Sequence, residues 1–562
     1  MNTHSTNPKV EHLLYAGIFF LALFLRGLKL GALPLSDAEA ELALNALEIA
    51  NGSATTVQPH PLYVLSTSFL FFLLGASTTI ARILPALVGS ALTLLPFFHR
   101  ERFGRSVALL VAVGLALNPT LITASRVVGS PMLALAGVLF LLTAWTRGWA
   151  RWVGIGFAFT LLAGPSGFFG IVWLLVLAVG AYALRVERVI TSFSFAQETM
   201  KQALLSFGVT LVLAATLFLR VPQGVGGLAD ALPMYLSGWG LSSGVPSAQM
   251  WGAFFFPQPL ILIFGLIFAG MLLWKQHKLA YFLLFSIVIS VLLVLAYPAR
   301  QPLDWVWSIV PLIISTAFFV APFADRAVLR DIPALSLIGG VLVFLSSFWI
   351  NLAGLLQYLG TQDVQRLIVI GGAIMLLVLS VLLVGLGWST RSAQRGLVWG
   401  TVLFLGVYSL GMVGSVEYRS GSRSSDIWRT SPRTADLTLL RDTIFDLSEW
   451  ETGRSDALDV ALQIDSPALV WALREMPNLL ASDSIPTNDA PAITLTPESE
   501  PAGALASAYR GQDFDWQVYP QWEAMNSTDW LRWMVLRDTP SASSRVIVWA
   551  RIDLFPEENP DS

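Results

Sequence analysis

Between Leu33 and Asn45 the chain sets three carboxylates at alternate positions, Asp37, Glu39 and Glu41, just after Pro34 and Ser36. A positioned carboxylate can take the proton of an attacking hydroxyl, and such general-base help is worth roughly a hundred- to ten-thousand-fold in rate. Ser36-Asp37-Ala38-Glu39 also fits a capping box, in which Ser36 caps a helix and Glu39 reaches back to the backbone. Apolar residues at 42, 43, 46, 47, 49 and 50 continue that helix to Asn51-Gly52. The pattern leaves Asp37 and Glu39 between catalysis and capping, and it puts Glu41 on a solvated face. No cofactor is demanded, although the three acids could offer oxygen ligands to a divalent cation.

A second set is made of arginines. Arg26 falls near the end of the first apolar segment, Arg82 at the start of the second, and Arg126 shortly after Asn118-Pro119. Guanidinium groups at a membrane interface suit bidentate binding of a phosphate, or snorkelling to lipid headgroups. A third stretch, Arg300-Gln301-Pro302-Leu303-Asp304-Trp305-Val306-Trp307, sets a base and an acid among aromatics. Aromatic belts at membrane surfaces account for the tryptophans without further function.

The elements that must carry these groups follow from composition. Of 562 residues, 55% are hydrophobic and 13% charged, against roughly 25% charged in a soluble protein, so this is a polytopic membrane protein. A net charge of −3 with no basic block disfavours nucleic acid as a partner. Zero cysteines exclude disulfides and thiolate chemistry, and the five histidines are scattered. Residues 1–416 carry 22 Lys/Arg against 13 Asp/Glu, whereas residues 417–562 carry 12 against 24. The chain therefore divides into a membrane domain, 1–416, and a soluble, acidic domain, 417–562.

About 20 apolar residues make a span. Thirteen segments qualify, near 13–30, 79–98, 106–123, 130–146, 152–164, 168–184, 203–219, 257–274, 279–297, 305–323, 333–356, 366–388 and 396–416. Leu62–Leu74 is too short and suits a helix lying at the interface. With the N-terminus in the cytoplasm and 62–74 left uncounted, 15 of the 22 basic residues face inward. The odd number of spans then puts 417–562 outside, together with Asp37, Arg26, Arg82, Arg126 and Arg300. The first apolar segment reads as a retained helix, with no small-residue cleavage site after it. In the tail, Ala457–Ile464, Ala492–Thr496 and Arg545–Ile552 have strand character, and Ser466-Pro467 opens a helix through Met476, giving a small α/β domain.

The order of these features carries a resemblance. An Arg ends the first span, and an acidic loop with its amphipathic helix follows. Then come His60-Pro61-Leu62-Tyr63, an interfacial helix, Ile80-Ala81-Arg82-Ile83-Leu84-Pro85, Phe103-Gly104-Arg105, Leu117-Asn118-Pro119 and Ala124-Ser125-Arg126. This resembles the membrane glycosyltransferases of the GT-C fold, particularly the protein O-mannosyltransferase and lipid A aminoarabinose transferase branch. The match is close over about 20–185 and looser to 323, through Arg300 and Pro311. The tail, with Val470-Trp471-Ala472-Leu473-Arg474 and Val546-Ile547-Val548-Trp549, is similar to those of bacterial and archaeal relatives.

The resemblance implies a GT-C-like helical membrane domain followed by the small α/β domain, in the plasma membrane of a prokaryote. It implies transfer of a sugar from a polyprenyl-phosphate donor to a lipid, glycan or protein acceptor on the outer face, with inversion. Asp37 matches the first-loop aspartate as general base, with Glu39 beside it. Arg26, His60, Tyr63, Arg82, Arg126, Arg300 and Asp304 fall among the substrate-binding positions, the arginines toward the donor phosphate. Three positions depart from the family pattern: Ala38 between the two acids, Val127-Val128-Gly129-Ser130 without a second acid, and Ala163 ahead of Gly164-Pro165. The alternatives are a transporter or flippase of lipid-linked sugars, and a catalytically inactive scaffold of the same fold.

Overall fold

The computed structural model describes residues 8–185, 197–274, 278–324, 330–357, 363–417, 426–481, 490–498 and 508–555. Parts of the expected basic loops, with Arg188, Lys275 and Arg326, lie outside the described residues. The first span, α1 (Pro8–Gly27), leads into the acidic loop and α2 (Asp37–Asn51). Ser36 starts α2 with the expected capping box, and Gly52 ends it at φ 76°, a left-handed turn that glycine adopts freely. Asn45 of α2 staples the returning chain, donating to the Thr56 carbonyl at 3.0 Å and accepting from the Gln58 amide at 2.9 Å.

Next comes α3 (Pro61–Leu74), whose 14 residues are too few to cross a bilayer. It buries Tyr63, Val64, Leu65 and Phe71 and exposes Phe69, Phe72, Leu73 and Leu74. A continuous apolar rod follows, α4 (Thr78–Ala91) and α5 (Leu95–Phe103). The helices α6 (Arg105–Leu117), α7 (Pro119–Ala124), α8 (Met132–Arg147), α9 (Ala150–Leu162) and α10 (Pro165–Ala183) pack around it. Proline at the first position of α7 and α10 interrupts what would otherwise be longer helices.

After α11 (Gln197–Ala215) the chain forms α12 (Gly224–Ser237), α13 (Ser247–Phe255) and α14 (Pro259–Trp274). The α13–α14 pair bends by 78° at Pro257-Gln258-Pro259, where two prolines cannot continue the ladder. Buried Gln258 satisfies part of the break: its amide donates to the Phe254 carbonyl, and its oxygen accepts from Asn118 and Thr120. The remaining spans are α15 (Lys278–Ala296), α16 (Val306–Val320), α17 (Ile332–Gln357), α18 (Val364–Gly387) and α19 (Thr390–Glu417).

All thirteen expected segments are helical. Among the described residues eight helices are long and apolar enough to cross a membrane by themselves, nine if the bent pair is one span. The others, such as α6, α8 and α9, are shorter apolar helices.

The C-terminal domain is a mixed six-stranded sheet flanked by helices. Its strands are β1 (Arg433–Thr434), β2 (Val460–Leu462), β3 (Leu479–Ala481), β4 (Ile493–Pro497), β5 (Tyr509–Pro520) and β6 (Ser541–Arg551), in the order β1-β5-β6-β4-β2-β3. β2 is parallel to β3 and β4, while the other pairs are antiparallel. Leu440 and Ile444 of α20 (Leu437–Thr452) pack with Val460, Leu462, Ile493, Leu495, Phe514 and Val546 in a core of its own.

The helix expected to run from 467 to Met476 stops as α21 (Pro467–Ala472). Residues 473–475 continue as a turn, and Pro477 keeps only Met476 out of helical geometry. The last helix, α22 (Ser527–Leu536), brings Trp530 and Trp533 onto Phe256 at the break between α13 and α14, with ring centroids 5.3 and 5.9 Å away. Ile427, Trp428, Trp471, Trp522 and Trp533 belong to the core of the membrane helices. The tail is thus packed into the membrane domain, not merely hung from it.

Candidate active site

Asp37 and Glu39 sit in the first turn of α2 and part company at once. Glu39 turns inward and is 1% exposed, against an Arg82 that is 2% exposed. Arg82 engages it through both arms, Nε to Oε1 at 3.0 Å and Nη2 to Oε2 at 2.8 Å, the fork geometry that makes such pairs strong. Glu39 also accepts from Arg429 Nη1 at 3.3 Å, from the Val128 amide at 3.1 Å and from the Ser36 amide at 3.1 Å. Burial pushes its carboxyl up, but Arg82 and Arg429 outweigh burial and hold it down at about 2. Glu39 is therefore a fixed anion at the junction of α2, α4, the loop after α7 and the strap 426–429.

Arg82 has no spare donors of consequence, because it also donates to the carbonyls of Leu30, Leu33 and Pro34. The other two arginines of the set are engaged in the same way. Arg26, fully buried, donates to Ser125 Oγ and to the carbonyls of Ala22, Leu115 and Ala116. Arg126 donates to the carbonyls of Leu25, Arg26, Leu28 and Lys29. Each closes the C-terminal end of a helix, α6 for Arg26 and α1 for Arg126, where carbonyls lack helical partners. The expectation that all three arginines face a donor phosphate meets guanidiniums already bound to main chain.

Asp37 turns toward the C-terminal domain instead. Its Oδ1 accepts from Ser466 Oγ at 2.5 Å and from the Ala468 amide at 3.1 Å; its Oδ2 accepts from Gln517 Nε2 at 3.2 Å. An ionised carboxylate offers about four lone-pair positions, and one on Oδ2 remains. The side chain is half-buried, so that position is reachable. Glu41 lies elsewhere and accepts from Gln58 Nε2. The three acids do not converge on a shared cation, and among the described residues no cluster of three acidic or histidine side chains could hold a metal.

The remaining expected residues fall into two places. Tyr63 on α3 is buried and donates to the Ala81 carbonyl at 2.9 Å, tying this helix to α4. His60, which caps α3, hydrogen-bonds the backbone of Ala163, and burial pushes its imidazole down to about 4, so it is neutral at pH 7. Gly164 makes this approach feasible: at φ +85°, a Cβ there would sit 2.5 Å from the Pro59 carbonyl and 2.8 Å from His60 Nδ1.

Arg300 and Asp304 stand on the turn before α16. Asp304 accepts from the Gln301 amide at 2.8 Å and caps that turn. Arg300 differs from the other arginines: among the described residues its one hydrogen bond goes to the Leu295 carbonyl at 2.9 Å, and its buried Nε has no partner. A chain of contacts joins this turn to α2. Trp305 donates to the Met250 carbonyl, Gln249 holds the carbonyls of Ile427 and Arg429, and Arg429 reaches Glu39.

Three participants carried no sequence signal of their contact with the first loop. Arg429, Ser466 and Gln517 reach the first loop from 390, 429 and 480 residues away. Ser466 was legible as a helix cap, which it also is, accepting from the Leu469 amide. Nothing near Gln517 marks it; a bulge in β5 between Asp515 and Gln517 redirects its side chain. Trp471 and Arg474, by contrast, were singled out in the sequence, and they dock the tail on the α3–α4 corner. Trp471 donates to Thr78 Oγ1 at 3.3 Å and Arg474 to the Ala76 carbonyl at 3.1 Å.

Broken helices, a short apolar helix after the first span, and an α/β domain packed on the helices define a polytopic membrane protein of the GT-C fold. Two solved structures share that fold over almost their whole length. ArnT from Cupriavidus metallidurans bound to undecaprenyl phosphate is 16% identical, with a TM-score of 0.56 over 97% of this chain and 99% of that one. ArnT from the same organism in the apo state is 14% identical, with a TM-score of 0.55 over 98% and 100%. No protein-family model matches the chain, and no curated protein does.

Proposed function

We propose that the protein is a glycosyltransferase that moves a sugar from a polyprenyl phosphate to an acceptor at the outer face of the membrane. The observation that carries this reading is the agreement in fold, end to end, with an ArnT bound to undecaprenyl phosphate. The site supports it with a half-exposed carboxylate, Asp37, that keeps one open lone pair beside a rigid, ion-paired Glu39. In the reaction the acceptor hydroxyl gives its proton to Asp37 Oδ2 while its oxygen bonds the anomeric carbon. The bond from that carbon to the phosphate oxygen breaks, and its electron pair leaves with the polyprenyl phosphate. Attack from the side opposite the phosphate inverts the centre. A cation beside the leaving phosphate removes the need for an acid, and Arg300, with an unpartnered Nε, suits that part better than Arg26, Arg82 or Arg126. With its N-terminus in the cytoplasm, the chain carries 417–562 and this site on the outer side.

The test uses the full chain in lipid nanodiscs with undecaprenyl-phosphate-linked pentoses and hexoses, a membrane extract as acceptor, and liberated undecaprenyl phosphate as readout. Turnover by the wild type and its loss in a folded Asp37→Asn variant are expected; undiminished turnover in that variant removes Asp37 as base. The engagement of Arg26, Arg82 and Arg126 by main-chain carbonyls, Ser125 and Glu39 favours a second reading, an inactive scaffold. That reading predicts undecaprenyl phosphate binding with no sugar in the panel turned over.

A further inference from the structure

Every hydrogen bond that the Asp37 carboxylate accepts comes from the C-terminal domain, and each donor is itself held. Ser466 Oγ donates to Asp37 and accepts from the Leu469 amide, so its hydroxyl proton has one direction to point. Gln517 donates through Nε2 to Asp37, and its Oε1 accepts from the Tyr519 hydroxyl. That second contact decides which end of the amide faces the carboxylate, since an amide has one donor end and one acceptor end. The Ala468 amide is main chain and fixed by α21. Two donors converge on Oδ1 and one on Oδ2, which sets the rotation of the carboxylate and the direction of the lone pair left over. A membrane-bound acceptor presents its hydroxyl along a restricted path, so that direction matters: catalytic geometry has to hold within a fraction of an ångström, and a misplacement of about 1 Å can cost a hundredfold.

We infer that Ser466 and Gln517, with Tyr519 behind Gln517, are positioning residues of the transfer reaction, and that the active site is completed by the C-terminal domain. The inference rests on Asp37 being the base. Neither domain then holds a competent site alone: the membrane domain supplies the carboxylate, and the soluble domain supplies its orientation. The soluble domain is a working part of the enzyme and not only a cover or a recruiting module.

The experiment measures kcat and donor KM for full-length variants in nanodiscs, with the undecaprenyl-phosphate-linked sugar turned over by the wild type. Gln517→Met keeps the length and removes the donor; it should lower kcat by about tenfold while donor KM stays within about twofold, the split expected when orientation and not binding is lost. Tyr519→Phe, at a half-exposed position where folding is not at risk, should lower kcat by about two- to threefold because the amide is no longer pinned. Ser466→Ala should fall with Gln517→Met, and Ser466→Thr, which keeps a hydroxyl, should restore most of the loss. If Gln517→Met and Tyr519→Phe keep wild-type kcat while Asp37→Asn is dead, the positioning role is overturned and the base stands. A raised KM at unchanged kcat also overturns it. If Asp37→Asn itself turns over, the underlying reading has failed instead.

Discussion

Asp37 and Ser466 meet at 2.5 Å across 429 residues of sequence, and this one hydrogen bond joins the first loop to a helix cap of the C-terminal α/β domain. A hydrogen bond to a charged group is worth about 1.5–3 kcal/mol where water is kept away, and half-burial puts this pair at the lower end. A double-mutant cycle of Asp37→Ala and Ser466→Ala, read by thermal or denaturant unfolding in detergent, should give a coupling of about 1–2 kcal/mol. Additive single effects would mean that the two side chains do not share this bond in the folded protein.

Glu39 is a different kind of acid, and its replacement should show it. Glu39→Gln keeps the size and leaves Arg82 without its counter-charge in a buried place, while Arg429 retains Asp426. Removing one partner of such a set typically destabilises by about 3–5 kcal/mol. The expected outcome is a large fall in unfolding midpoint and poor recovery from membranes, whereas Asp37→Asn stays folded. Equal stability of the two variants would contradict the ion-paired junction described for Glu39.

That contrast marks how far the sequence could be read. Apolar length is a local property, so the helical character of all thirteen segments and of α3 was legible, although among the described residues eight or nine and not thirteen are long enough to cross a membrane, and the capping box at Ser36 was legible too. Three of the strands were legible as well, because their apolar runs are bounded by turn residues. β5 was not: Tyr509–Pro520 carries Arg510, Gln512, Asp513, Asp515 and Gln517, and only its pairing with β6 makes it a strand. The site was half legible. Residue type and order brought out Asp37, Glu39 and the arginines, but whether an arginine meets a phosphate or a carbonyl depends on which helix ends beside it. The partners of Asp37 come from a domain whose docking leaves no periodic trace.

The close approach of Gly164 to His60 makes a specific demand on one residue. A β-carbon at 164 would meet the Pro59 carbonyl at 2.5 Å, and the backbone there sits at φ +85°, so strain and clash act together. Gly164→Ala should destabilise by about 1–3 kcal/mol, seen as a lower unfolding midpoint. A neutral substitution would show that the 59–60 segment gives way freely.

His60 also sets a pH dependence. Its folded value is depressed to about 4 from an ordinary 6.5, so between those values the unfolded chain binds more protons than the folded one. Stability then rises with pH through this window. The contribution is complete above about 6.5 and is lost progressively as pH falls toward 4. Glu39 acts lower, its contribution being present above its ordinary 4.5 and lost as pH falls toward 2. Unfolding midpoints measured from pH 7.5 to 4.5 should fall more steeply for the wild type than for His60→Asn. Parallel slopes would rule out a His60 held neutral in the folded protein.

The four arginines Arg26, Arg82, Arg126 and Arg300 can finally be separated by what each already holds. Arg26, Arg82 and Arg126 are bound to helix-end carbonyls or to Glu39, so their loss leaves acceptors or a buried anion unmatched and should act on folding. Arg300 holds one carbonyl and, among the described residues, carries a buried Nε with no partner, a donor whose unmet hydrogen bond costs about 1–3 kcal/mol and which an anion would satisfy. Arg300→Gln should therefore leave the unfolding midpoint nearly unchanged and weaken binding of undecaprenyl phosphate in nanodiscs by about tenfold or more, the loss of a charge-assisted contact. Arg26→Gln and Arg126→Gln should do the reverse, lowering the midpoint by several degrees while whatever protein stays folded binds normally. Wild-type binding by folded Arg300→Gln, or weakened binding by folded Arg126→Gln, would return the phosphate to the arginines of the first loops.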